Sequence, residues 1–333
     1  MTWLKTGVIG WALRALAALI ALPGAAIVLP AVAQSYPTHP IRLIVPFAPG
    51  GSSEIVARTF IAEMSRGLGE QLVIENRPGG AGNVAMQEVA HAEPDGYTII
   101  LGHVGTLAMN PWMFARLPYD AEREFTPISL LAKVTTIFAV NAHFPPRDLR
   151  EFIVAAKRDP GRIYYGSAGN GSAGHLAFEY LKMVSGIDVV HAPYKGTGPQ
   201  LTDLLAGQTQ ATSAGAGPIL PHIRSGKVRA IAVGSPQRIA VLPDVGTVAE
   251  QGFPGFETSQ WYGLIAPIRV KPAIINRLAT EAARAARSPA VLDRLASDGT
   301  LSVGDTPAQF AEFIKLEKAR WGEVVTRTGA RAE

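Results

Sequence analysis

The chain has 333 residues, 47% hydrophobic and 17% charged, with 34 Gly, 25 Pro and no Cys. That composition excludes a disordered chain, a collagen-like repeat and a multi-pass membrane protein, and the absence of thiols excludes disulfides, thiolate metal sites and a cysteine nucleophile. A net charge of +4, with no Lys/Arg run longer than a pair, also argues against a nucleic-acid surface.

Residues 1–33 carry Lys5 and Arg14 but no acidic residue, then an apolar stretch from Ala15 to Val32 broken by Pro23 and Pro30. They close on Ala31-Val32-Ala33, the small-x-small pattern of a secretory cleavage site. An uncleaved anchor also needs about twenty apolar residues, but the prolines and the closing motif favour a cleaved signal peptide. Removing these 33 residues leaves 300 with a charge of +2, and such a chain must draw its stability from core size rather than disulfides.

Short β-rich runs then alternate with amphipathic patterns. Strands are predicted over 41–47, 72–75 and 97–101, with helices over 54–66 and 82–92; the first helix carries Val56, Phe60 and Met64 on one face. The rhythm returns with helix 148–158, strand 162–165, helix 173–184, strand 189–193, helix 200–205 and strand 228–233. Helices are expected over 272–286, 289–297 and 307–325. Alternation of this kind predicts an α/β fold with mainly parallel sheets covered on both faces. Two β-rich runs, 128–141 and 259–267, break the rhythm and bracket a block of about 120 residues. They predict two lobes joined by two crossing strands: a discontinuous lobe of 34–135 plus 257–333, and a second lobe of 136–256. The alternative is two consecutive domains dividing near residue 145.

Two strand-to-helix turns, one per predicted lobe, carry the candidate chemistry. The first runs Pro46-Phe47-Ala48-Pro49-Gly50-Gly51-Ser52-Ser53, and the second runs from Tyr165 and Ser167 through Gly169, Gly171 and Ser172 to His175. Each enters a helix through Gly and Ser, so each presents unpaired N–H groups and the positive end of a helix dipole. That is the equipment of an anion site for phosphate or carboxylate, at the sheet edge where open α/β folds bind ligands. Taken singly, either turn is equally well a helix cap. Gly169, Gly171 and Gly174 match a dinucleotide fingerprint, but they lie mid-chain and lack the acidic residue about twenty positions later. Asn170-Gly171-Ser172-Ala173-Gly174 approaches a nucleophile elbow but has Asn in place of its first Gly, and His175 lies too close in sequence to serve Ser172 as base. The remaining histidines are scattered, so neither a catalytic constellation nor a metal site is expected. Among the aromatics near the turns, Tyr194 follows a strand directly and Trp261 could wall a cleft, with Lys195 a possible partner for an anion.

The chain resembles the Bug-type (TctC-like) substrate-binding proteins of tripartite tricarboxylate transporters. The resemblance is carried by segments 36–47, 73–80, 94–98, 117–120 and 125–127, by Tyr165-Gly-Ser167, Gly169-Asn-Gly-Ser172 and Pro193-Tyr-Lys-Gly196, and by 226–230, 242–244 and 252–256. It implies a two-lobed periplasmic binding protein of the Venus-flytrap, type II-like kind, which grips a small organic acid and passes it to integral-membrane transporter subunits. It implies no enzymatic activity, no cofactor and a monomer. Carried over, the ligand-binding residues are Phe47, Ala48, Gly50, Gly51, Ser52, Ser53, Ser167, Gly171 and Ser172, with Thr106 and Tyr194 carried over on less of the pattern. The chain departs from the family pattern at Glu54, where Asp is common, and near Ala214, where an acidic residue is common. The second departure implies a carboxylic acid with no required amine. An exported hydrolase using Ser172, or a binding protein serving a sensor, would be the alternatives.

Overall fold

In the computed structural model, which describes residues 36–329 and 331, the first strand is β1 (Ile41–Val45). The predicted signal peptide lies outside the described residues, and among these no helix is long and apolar enough to cross a membrane. Helix α1 (Ser52–Leu68) follows, with Val56, Phe60 and Met64 buried as the pattern predicts; it stops at Gly69 in the left-handed conformation. Then come β2 (Leu72–Asn76), α2 (Asn83–Ala90) and β3 (Thr98–His103). A wide turn over Gly105–Met109 leads to the short helix α3 (Asn110–Met113), and the long β4 (Phe125–Asn141) leaves this half of the molecule.

The second half repeats the scheme: α4 (Leu149–Arg158), β5 (Tyr164–Ser167), α5 (Ala173–Ser185), β6 (Val190–Pro193), α6 (Thr197–Leu205), β7 (Ala211–Gly215), α7 (Ala216–Arg224) and β8 (Val228–Val233). The chain returns through β9 (Ser259–Pro267) and ends with α8 (Pro272–Ala286), α9 (Pro289–Ala296), β10 (Thr300–Ser302) and α10 (Pro307–Thr328). Helix α10 opens with a capping box between Thr306 and Gln309.

The strands form one sheet in the order β2-β1-β3-β9-β4-β7-β5-β6, with β8 and β10 also on β4. This sheet is mixed, which corrects the expectation of mainly parallel pairing. Within each half, β1 pairs in parallel with β2 and β3, and β5 with β6 and β7. Every ladder of β4 and β9 is antiparallel. β4 carries the chain out of the first parallel group and β9 carries it back, so these long strands run against each other, and their other partners meet them antiparallel as well.

The register fixes where the two halves meet. His103, the last residue of β3, lies opposite Tyr262 of β9, and Tyr262 lies opposite Ala132 of β4. Gly215, the last residue of β7, lies opposite Thr136 of β4. The C-terminal ends of both parallel groups therefore converge on the middle of β4. Its partner changes from Ser259 at Thr135 to Gly215 at Thr136. The return path crosses at the same level, where Thr258 N–H donates to Gly234 O and Gly234 N–H donates to Thr136 O, both at 2.8 Å.

Apolar side chains collect in separate cores on either side of this line. Ile44, Ile100, Trp261 and Phe310 belong to one, and Phe138, Phe152 and Phe178 to another. The C-terminal helices pack on the first: Arg284 of α8 reaches Glu63 of α1, and Glu317 of α10 accepts from the indole N–H of Trp261 at 2.8 Å.

Candidate functional site

A narrow cavity of about 30 Å³ lies where the two sets of strand ends converge. Its walls include Phe47, Ala48, Gly51, Ser52 and Ser53 from the β1–α1 turn and Ala168, Ser172, Ala173 and Gly174 from the β5–α5 turn. Gly196, Thr197 and Gln200 come from the start of α6, Ser213 and Ala214 from β7, and His103, Gln260 and Tyr262 complete the wall. A wider vestibule of about 670 Å³ shares Phe47, Ala48, Ala168 and Ser172 with it and adds Phe114, Tyr194 and Lys195.

Three helices thus begin at one chamber. Helices α1 and α6 start after Gly51 and Gly196, which have no side chain to cap them. At α5 the Ser172 hydroxyl accepts the His175 N–H at 3.2 Å, which leaves the N–H groups of Ala173 and Gly174 without that cap. Leading N–H groups have no acceptor inside their own helix, and the dipoles add positive potential. No Lys, Arg, Asp or Glu lines the chamber among the described residues.

Small residues make this convergence possible. A Cβ on Gly174 would lie 2.5 Å from the backbone oxygen of Ser213, and one on Gly215 would lie 2.1 Å from the Ser52 hydroxyl. Helices α1 and α5 can therefore start directly on β7 only because both positions are glycine.

The chamber floor is aromatic and neutral. His103 packs against the Phe47 ring at 4.6 Å and the Tyr262 ring at 5.9 Å. Thr106 N–H donates to His103 Nδ1 at 3.1 Å, so the imidazole carries its proton on Nε2. The Tyr262 hydroxyl donates to Gln260 Oε1 at 2.7 Å and also meets the Ser52 hydroxyl; burial holds its pKa far above the usual tyrosine value.

Of the residues carried over by resemblance, Phe47, Ala48, Gly51, Ser52, Ser53 and Ser172 line the chamber and Tyr194 lines the vestibule. The other four line neither space. Gly50 N–H is occupied by Glu54 Oε2 at 2.6 Å, a bond that, with Arg58, holds the Glu54 carboxyl below its usual range. Thr106 is fully buried and acts on His103 rather than on the cavity. The Ser167 hydroxyl lies 2.6 Å from His191 Nε2 and bonds the Gly169 backbone, which shapes the turn. Gly171, at φ +74°, donates to His175 Nδ1 and sits where a Cβ would be 3.0 Å from Asn110 Oδ1.

Trp261 is not a cleft wall. Successive residues of a strand face opposite sides, so Trp261 points to α10 while Tyr262 faces the chamber. Gln200, Ser213, Gln260 and His103 had no motif to mark them. The Ser172 oxygen accepts the His175 N–H as the α5 cap, and His175 Nδ1 accepts the Gly171 N–H rather than the Ser172 hydroxyl.

Burial lowers three histidines around the site from the ordinary value of 6.5. His103 and His175 fall to about 4 and His191 to about 3, chiefly by desolvation; His175 and Lys182 add repulsion at His191. Between those values and pH 6.5 the unfolded chain binds protons that the folded chain does not. This contribution to stability is therefore complete above pH 6.5 and is lost as the pH falls through 4. At roughly 1.4 kcal/mol per pKa unit, the three together predict a decline of several kcal/mol. Urea midpoints measured from pH 7 to pH 4 check this, and a flat profile would contradict it.

The comparisons with known proteins agree with this architecture. Residues 56–330 match the family model described as "Tripartite tricarboxylate transporter family receptor", TctC. The chain belongs to this family. Among solved structures, the periplasmic binding protein BugD is 32% identical, with a TM-score of 0.85 over 89% of this chain and 99% of that one. Rpa4515 of R. palustris, solved with adipate, is 33% identical, with a TM-score of 0.87 over 89% and 99%. MatC from Rhodopseudomonas palustris, solved with bound malate, is 35% identical, with a TM-score of 0.83 over 87% and 100%. The fold is thus the α/β fold of periplasmic binding proteins of the Bug and TctC type.

Proposed function

We propose that this TctC-family chain is an exported, monomeric solute receptor that captures a small carboxylic acid in the chamber and hands it to integral-membrane transporter subunits. The observation that carries this reading is the convergence of the α1, α5 and α6 N-termini on one buried chamber without a charged side chain on its wall. A carboxylate there is met by backbone N–H groups and dipoles, while an ammonium group finds no carboxylate to pair with. Adipate in Rpa4515 and malate in MatC support the same ligand class. In the proposed cycle, residues 34–135 with 257–333 form one lobe and 136–256 the other. They open and close about the crossings at Thr135/Thr136 and Thr258/Ser259, and closure brings the N-termini onto the ligand. The proposed cycle contains no chemical step: binding and release are its only events.

Thermal unfolding of the purified protein against a panel of carboxylic acids, amino acids and NAD tests the reading. A ligand at a hundred times its Kd stabilises by about 2.7 kcal/mol. The expected result is a raised midpoint with one or a few carboxylates and none with amino acids or NAD. A response to NAD alone, or to aspartate or glutamate above their deaminated analogues, would refute it.

A further inference from the structure

A groove of about 580 Å³ lies over the outer side of α4 and shares no residue with the chamber or its vestibule. Its apolar walls are Phe144, Pro145, Pro146, Val154, Ala155 and Ile163. Strand β5 starts just after Ile163 and leads to the turn that lines the chamber, so an occupant of the groove leaves the chamber free. The groove is also preformed. The Arg229 guanidinium donates to the carbonyls of Ala142, Phe144 and Pro146 at 3.1, 2.9 and 3.0 Å, which fixes the loop that makes one wall. Helix α4 buries Leu149, Phe152 and Ala156 on its core side, yet Val154 on the groove side is 68% exposed. A β-branched residue there neither favours the helix nor packs in the core.

Arg150, Arg158 and Arg162 rim the groove. Of the two acids beside them, Asp159 pairs with Arg158 at 2.8 Å, and Glu151 turns back to accept the Arg147 N–H at 2.8 Å, against the N-terminus of its own helix. The neighbouring Glu250 carboxylate is held by Arg238 at 2.9 Å. Arg150 reaches only the Glu250 carbonyl, at 3.4 Å, and neither Arg150 nor Arg162 makes an ion pair among the described residues.

We infer that this face of the protein docks on an anionic phospholipid surface, the groove admitting an apolar lipid segment while the rim arginines meet phosphate. The inference goes beyond the solute-receptor reading and does not depend on what the chamber holds. A guanidinium fork matches phosphate oxygens two at a time, and a hydrocarbon segment asks nothing of the walls but apolar contact. A peptide fits less well, because its backbone N–H and C=O groups need partners. The walls are helix side chains and a Pro145-Pro146 loop without N–H groups.

Flotation of the purified protein with vesicles of phosphatidylcholine, alone or with about a third phosphatidylglycerol, tests the assignment. A cation near an anionic membrane surface is worth about fivefold in affinity, so Arg150 and Arg162 should give a preference of more than about tenfold for the anionic vesicles. That preference should fall steeply between about 0.05 M and about 0.5 M salt. Arg150→Gln with Arg162→Gln is expected to bring it within about twofold of unity. Val154→Gln changes no charge and should still weaken binding at least about threefold. As a control, Arg269→Gln with Lys271→Gln removes two exposed cations just before α8 and should change binding by less than about twofold. Circular dichroism checks that each variant is folded. Equal binding to neutral and anionic vesicles would overturn the assignment. So would a control that loses as much as the groove pair, or a Val154→Gln protein that loses nothing, since the attraction would then be diffuse. An acidic, leucine-rich peptide that binds where the vesicles do not, and is lost in the groove variants, would give the groove to a protein segment and overturn the lipid assignment.

Discussion

Ser172→Asp is expected to keep the fold and lose the ligand. Ser172 sits in extended conformation before α5, and its hydroxyl accepts the His175 N–H at 3.2 Å. Aspartate is as good an N-cap as serine, so the stability should stay within about 0.5 kcal/mol of the parent. The new carboxylate, however, lies on the chamber wall and puts a negative charge beside the Ala173 and Gly174 N–H groups that the ligand would use. Placing like charges together in an interface costs several kcal/mol. Each 1.4 kcal/mol is about tenfold in affinity, so binding should weaken by at least about a hundredfold. Ser172→Ala should behave in the opposite way. It loses the cap, at about 1 kcal/mol of stability, but adds no charge and should change affinity by less than about tenfold. Calorimetry beside urea denaturation on both variants separates the effects. An aspartate variant with unchanged affinity would mean that the acid group does not sit at the start of α5.

The parts of this site that were legible in the sequence are the turns; the parts that were not are the surfaces they land on. Phe47 to Ser53 and Ser167 to Ser172 announce themselves through glycine and serine between a strand and a helix. Strand β7 does not, because its residues are Ala211-Thr-Ser-Ala-Gly215, with little of the bulk that marks a central strand. It nevertheless pairs with both β4 and β5. Its small side chains follow from the N-termini of α1 and α5 packing directly on it, a tertiary requirement that no local pattern reveals. Helix α6 was foreseen only from residue 200, since Gly196, Gly198 and Pro199 weaken the helical pattern of its first turn. Gln200 therefore seemed to start a helix, whereas it lies inside that turn and faces the chamber. The mixed pairing of the sheet was missed for a similar reason: strand direction depends on where β4 and β9 return, which lies beyond any window of sequence. The two long runs themselves were visible, and they mark the line along which the sheet changes partners.

Phe310→Ala tests whether the two faces of β9 are independent. Phe310 is fully buried, with its ring edge-on to Trp261 at 5.9 Å. A Cβ on Gly263 would lie 2.2 Å from the ring, so the phenyl rests directly on the β9 backbone. Removing a buried phenyl ring typically costs 3–5 kcal/mol through lost transfer energy and the cavity left behind. The loss should be near the upper end here, because the backbone of β9 is held in the sheet by β3 and β4 and cannot move in to fill the space. The opposite face of the same strand carries Gln260 and Tyr262, whose hydroxyl reaches Ser52 at the start of α1. If the ladders hold β9 in register, affinity for the ligand should change by no more than about twofold while the urea midpoint falls sharply. A variant that lost binding in proportion to stability would show instead that α10 positions the chamber wall through β9. The C-terminal helix would then belong to the binding apparatus as well as to the core.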